Sequence, residues 1–143
     1  MRKDLSMASV LILEDEEDFG ALLRQSLEAT GHSVVIRHNA TEAIAAYKEA
    51  DFDIVVADLI VKVGGRPVPD GGLTLIPSLR RLARGTGRRL PIIAISGVTQ
   101  YPGLSSALEV ARTVGADASL EKPFDPADLI ALIEDLLNRK VVV

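Results

Sequence analysis

Two rhythms of apolar positions alternate along the chain. Apolar runs of strand length are followed by segments whose apolar residues recur every three or four positions, the spacing of a helix face. SVLIL (Ser9 to Leu13) is the first such run, and Phe19, Leu22, Leu23 and Leu27 follow it at helical spacing. Gly31 is expected to close that helix. SVVIR (Ser33 to Arg37) leads into a short helix with Ala40, Ala43, Ile44 and Tyr47 on one face, and DIVVAD (Asp53 to Asp58) is a third strand. The Gly- and Pro-rich VKVGGRPVPDGG then reads as a loop before a helix marked by Ile76, Leu79, Leu82 and Ala83, with Pro77 placed in its first turn. PIIAIS (Pro91 to Ser96) is a fourth strand, Leu104, Ala107, Leu108 and Ala111 mark a fourth helix, and DASL (Asp117 to Leu120) is a short fifth strand. The last helix opens with DPAD: Asp125 caps, Pro126 takes the first helical position and Asp128 suits the positive end of the helix dipole. Its apolar face is Leu129, Leu132, Ile133, Leu136 and Leu137.

Strands that are apolar on both faces and alternate with helices predict an α/β fold, a five-stranded parallel sheet between five helices. The 143 residues suit one domain, with a core from about 9 to 140 and short extensions at each end.

Composition narrows the function classes. A hydrophobic fraction of 48% with 25% charged residues is an ordinary globular balance. The absence of cysteine excludes disulfides and thiolate metal sites and suits a reducing cytoplasm. A net charge of −4 and few aromatic residues argue against nucleic acid as a partner. No apolar run approaches the roughly 20 residues of a membrane span, and the opening MRKDLSMAS lacks the apolar stretch of a secretion signal.

In a parallel sheet, ligands bind beyond the carboxyl ends of the strands, where the strand order reverses. Strand one ends in Glu14 and Asp15, strand three in Asp58, strand four in Ser96 with Gly97, and strand five in EKPF with Lys122. Strand two ends in His38 and Asn39, which add no evident chemistry, and His32 reads as another surface or edge residue. Three carboxylates, a hydroxyl and an amine thus collect on one edge.

The acidic run LILEDEED divides accordingly. Glu16, Glu17 and Asp18 fall in the first turn of a helix, where negative charge is mildly favoured. Glu14 and Asp15 would stand near Asp58 if strands one and three are neighbours. Each like-charge pair at ~4 Å then costs roughly 4 kcal/mol at an effective dielectric of 20, so either a pKa rises sharply or a cation joins them, and the cation is the expectation. Oxygen-only ligands favour Mg²⁺ over zinc or copper. A divalent cation, a lysine and a hydroxyl around a carboxylate form the set that phosphoryl transfer requires, with the carboxylate as nucleophile. The basic cluster Arg80, Arg81, Arg84, Arg88 and Arg89 reads as a solvated helix C-terminus favoured by the dipole.

These residues resemble the receiver domains of two-component response regulators, of the stand-alone, chemotaxis-regulator-like kind. VLILEDEED is similar to the family's acidic strand end, DIVVADL to its phosphoacceptor strand, AISG to its Ser/Thr–small pair and GADASLEKPF to its lysine signature. The resemblance implies strand order 2-1-3-4-5. It implies Asp58 as phosphoacceptor from a sensor histidine kinase or a histidine phosphotransfer protein. Mg²⁺ would be held by Asp15, by Glu14 through water, by Asp58 and by the Ile60 carbonyl. Lys122 would pair with the phosphoryl oxygens, Ser96 would bond one of them, and the Lys122–Pro123 bond would be cis. It further implies a cytoplasmic switch, not an enzyme in its own right, that promotes its own phosphorylation and dephosphorylation. Such a switch would signal by binding another protein or by passing the phosphoryl group on, as a monomer or weak homodimer.

The sequence departs from that pattern at Glu14 in place of the commoner Asp, and in lengthened loops after Asp58 and Ser96. It departs again at Ser119, where the family usually carries an aromatic switch residue; Tyr101 is the candidate for supplying the moving ring instead. Three other readings compete: a flavin- or nucleotide-binding module, a phosphatase with an Asp nucleophile, and a degenerate receiver that binds partners without phosphorylation. Acids stand where the first would need a Gly- or hydroxyl-rich phosphate loop, and Asp15 is followed by Glu16 and Glu17 rather than the Asp-x-Asp of the second.

Overall fold

The computed structural model describes residues 7–97 and 107–141. Five strands form one parallel sheet: β1 (Ser9–Leu13), β2 (Ser33–Arg37), β3 (Ile54–Asp58), β6 (Ile92–Ser96) and β7 (Ala118–Glu121). Between them run α1 (Glu17–Glu28), α2 (Ala40–Glu49), α3 (Gly72–Arg84) and α4 (Ala107–Val114), and α5 (Pro126–Val141) follows the last strand. The central strands β1, β3 and β6 divide their side chains between two cores, because successive residues point to opposite faces. Leu11, Leu13, Val55, Ala57, Ile92 and Ala94 face α2, α3 and α4. Val10, Ile12, Ile54, Val56, Ile93 and Ile95 face Leu23 and Leu27 of α1 and the apolar side of α5.

Two further strands lie outside the sheet. β4 (Val61–Val63) and β5 (Arg66–Val68) pair only with each other, antiparallel, within the stretch expected to be a loop. The sheet order is therefore β2-β1-β3-β6-β7, and the expected 2-1-3-4-5, which counted five strands, is corrected by the inserted pair. Its physical origin is the Gly64–Gly65 turn: φ of 60° and 79° at the two central positions suits a two-residue hairpin of the type that requires positive φ twice.

The start of α3 also differs from expectation. The helix begins at Gly72, so Pro77 lies in its second turn and cannot donate to the carbonyl of Leu73. The early start follows from Gly71 and Gly72, whose missing side chains let the helix N-terminus press onto the main chain of Asp58 and Leu59. Gly31 takes a φ of 97° just beyond Ala29, which caps α1. Asp125 caps α5 as read, accepting from the Ala127 N–H at 2.9 Å.

Two residues read as surface features are structural. His32 is buried, and its Nδ1 accepts from the Ala8 N–H at 3.1 Å, joining the starts of β1 and β2. Arg80 donates to the carbonyls of Gly115 (2.8 Å) and Leu90 (2.6 Å) and pairs with Asp117 at 2.8 Å. Its guanidinium thereby ties the C-terminal half of α3 to the entry of β6 and the end of α4. Ser119 is half-buried in β7, opposite Ala94, whereas Tyr101 and Leu104 lie outside the described residues.

Candidate functional site

The order β2-β1-β3 makes the chain leave β1 and β3 toward opposite sides, which opens a crevice at their carboxyl ends. Glu14 extends β1 by one residue, donating its N–H to the Arg37 carbonyl at 3.0 Å, and Asp15 follows at the rim. Asp58 closes β3, whose neighbour β1 is in register through Leu13 and Ala57. Ser96 closes β6 and is buried, and its carbonyl accepts from the Lys122 N–H at 2.8 Å. That bond sets Lys122 at the end of β7, just before a cis peptide bond to Pro123.

From there the Lys122 ammonium reaches back across the sheet. Nζ donates to Asp58 Oδ2 at 2.9 Å and stands 2.8 Å from Glu14 Oε1 and 3.6 Å from Glu16 Oε2. The contact with Glu14 Oε1 is close but poorly aligned, since that oxygen has no well-formed hydrogen bond. It is an ion pair first. Glu14 Oε2 accepts from the Glu16 N–H at 3.0 Å, and Asp58 Oδ1 from the Ile60 N–H at 3.2 Å. The ammonium also lies 4.8 Å from the centre of the Phe19 ring, which meets Phe124 edge-on.

Burial dominates the electrostatics. Glu14 is 0% exposed, and desolvation pushes its carboxyl up to about 7, a rise that Lys122 and the Glu16 N–H oppose and the Asp58 charge reinforces. Asp58 is also raised, by burial first, against the pull of Lys122 and the Ile60 N–H. Lys122 moves the other way from what burial dictates: its bond to Asp58 and its ion pair with Glu14 outweigh desolvation and hold it protonated.

Glu14, Asp15 and Asp58 each present an oxygen, all within 4.8 Å of one another. Three carboxylates against one ammonium leave two negative charges unmatched when all are ionised, and no His or Cys joins the set. These residues fit a hard divalent cation such as Mg²⁺. The cavity of about 230 Å³ at this edge is lined by Asp15, Asp58, Ile60 and Lys122, with Lys62 and Gly97. A larger cleft of about 390 Å³ opens at the amino ends of the strands, beside Tyr47, Phe52 and Leu90. Its Arg88 is already paired with Asp51 at 3.4 Å, so the converging chemistry belongs to the smaller cavity.

Three contacts of the site escaped sequence reasoning. Phe19, spaced as part of a helix face, also sets its ring beside the ammonium. His38 Nδ1 stands 3.1 Å from the Glu14 carbonyl. The Lys62 N–H donates to Asp15 Oδ2 at 2.8 Å, for which the one available signal was the alternation VKV-GG-RPV around a two-glycine turn.

The family described as response regulator receiver domain matches residues 10–134. A transcriptional regulatory protein of Bacillus subtilis, YkoG, itself uncharacterized, is 32% identical over 91% of this chain and 51% of its own length. The two-component response regulator PprB of Pseudomonas aeruginosa is 33% identical over 92% of this chain and 44% of its own. The chain thus spans about half the length of these curated relatives. Among solved structures, a two-component response regulator from Clostridium difficile superposes with a TM-score of 0.78 at 22% identity, over 94% of this chain and 99% of that one, a likeness of fold.

Proposed function

The chain belongs to the response regulator receiver domain family, whose members are phosphorylation-dependent signalling domains, and from that premise we propose that Asp58 is its phosphoacceptor. One observation carries the reading: the Lys122 ammonium bridges Asp58 and Glu14 at 2.9 and 2.8 Å, beside Asp15, on the edge where β1 and β3 diverge. Residues 9–140 act as one receiver unit. A carboxylate oxygen of Asp58 attacks phosphorus as the N–P bond of a phosphohistidine breaks, and the departing imidazole nitrogen takes up a proton. The product is an acyl phosphate on Asp58. Lys122 shifts from the carboxylate to a phosphoryl oxygen, and the Ser96 hydroxyl donates to another. Mg²⁺ held by Glu14, Asp15, Asp58 and the Ile60 carbonyl would neutralise charge on those oxygens. The donor is a sensor histidine kinase or a histidine phosphotransfer protein in the cytoplasm. Output is the binding of a partner protein or onward transfer of the phosphoryl group, because the added dianion biases a two-state surface.

Ser119, where an aromatic ring commonly switches, favours the alternative of a phosphorylation-independent binding module. Incubation with a small phosphodonor and Mg²⁺, followed by intact mass, separates the two. The wild type should gain one phosphoryl group and Asp58→Asn none. An unmodified wild type would leave the binding module standing.

A further inference from the structure

We propose that the β4–β5 hairpin positions Asp15 for cation binding through the main-chain N–H of Lys62, so that hairpin integrity and divalent-cation affinity are coupled. This rests on the reading of the acidic pocket as a cation site. In a hairpin closed by a two-residue turn, hydrogen-bonded and non-hydrogen-bonded pairs alternate outward from the turn. Val63 and Arg66 flank Gly64–Gly65 and are the closing pair, so Lys62 and Pro67 form the next, non-hydrogen-bonded pair. The Lys62 N–H therefore points out of the hairpin, and it meets Asp15 Oδ2 at 2.8 Å. Pro67, opposite, has no N–H to place, and at this position the ladder asks for none.

Both feet of the hairpin are pinned, one to Asp58 and the other to the start of α2. The incoming strand follows Asp58 directly, through Ile60, whose N–H holds Asp58 Oδ1 at 3.2 Å. At the outgoing end, Asp70 Oδ1 accepts from the Thr41 N–H at 3.0 Å, and its carbonyl accepts from the Ala40 N–H, at the start of α2. Gly71 then packs on the main chain of Leu59 and Val61. An element fixed at both ends can hold a rim carboxylate in one orientation, with Oδ2 on the amide. Partners of this kind, one shell outside a ligand, commonly set metal affinity.

Lys62→Pro deletes the N–H at a position where the hairpin ladder does not need it, whereas Lys62→Ala keeps it and removes only the side chain. Mg²⁺ titrated by calorimetry and Mn²⁺ by electron paramagnetic resonance should bind Lys62→Pro roughly tenfold more weakly than wild type, and Lys62→Ala as well or slightly better. In unaltered protein, Mg²⁺ should slow hydrogen exchange of the Lys62 amide, by linkage between the two equilibria. Equal cation affinity in Lys62→Pro and Lys62→Ala, or faster exchange at Lys62 with Mg²⁺, would overturn the coupling while leaving the cation site intact. No cation binding by the wild type would overturn the site and the coupling together.

Discussion

Gly72 packs so closely on Asp58 that a Cβ at position 72 would stand 2.6 Å from the Asp58 carbonyl oxygen. The first residue of α3 is thereby set against the end of the strand that carries the candidate phosphoacceptor. Backbone cannot yield at that contact as a flexible side chain would. We predict that Gly72→Ala lowers unfolding free energy by about 2 kcal/mol or more and slows modification of Asp58. Gly85→Ala, at the other end of the helix, meets only ordinary contact at 3.6 Å and should be neutral or slightly stabilising. Equal losses in the two variants, measured by urea denaturation, would contradict this account.

Lys122 is the only cation among the described residues recorded within 4.0 Å of Glu14 or Asp58. Its removal leaves two buried carboxylates without a counterion. Lys122→Ala should therefore destabilise the metal-free protein by about 3 kcal/mol at pH 8, and by less at pH 5.5, where Glu14 can take up a proton. Denaturation at the two pH values measures the difference.

Glu14 gives the pH dependence a definite sign. Its folded-state value of about 7 lies above the ordinary 4.5, so between those values the folded protein retains a proton that the unfolded chain has lost. Stability is favoured at the acid end and falls as pH rises through this window, by up to about 3 kcal/mol at 1.36 kcal/mol per unit. Asp58 shifts in the same direction and adds to the slope. The melting temperature in EDTA should decline from pH 5.5 to 8, and Mg²⁺ should restore it most at pH 8, above the value of about 7 for Glu14. A flat profile in EDTA would remove burial as the dominant influence on the pocket.

Arg80 forms one clamp with three partners, Gly115, Leu90 and Asp117. Arg80→Ala leaves two carbonyls and a carboxylate to re-solvate at the junction of α3, β6 and α4, and should cost about 2 kcal/mol. Arg80→Lys should recover only part, because an ammonium cannot match the planar fork. Thermal unfolding of the two variants tests the ranking.

The apolar runs of strand length and the helical spacing of Leu23, Leu27, Ile133 and Leu137 determined the layered α/β architecture by themselves, since burial on both faces leaves a central parallel strand little alternative. The strand-end residues Glu14, Asp15, Asp58, Ser96 and Lys122 were legible for the same reason: in a parallel sheet all carboxyl ends share one edge. Local pattern did not decide how those residues meet. That the Lys122 ammonium bridges Glu14 and Asp58, that Phe19 lies beside it and that the Lys62 amide holds Asp15 depend on contacts between residues 47 to 108 positions apart in the chain. His32 and Arg80 depart from a surface placement likewise, because burial is set by what packs against a side chain and not by its neighbours in sequence. Residue order specified the elements and the edge; only their packing, with its cost for every buried charge left unpaired, placed the groups within reach of one another.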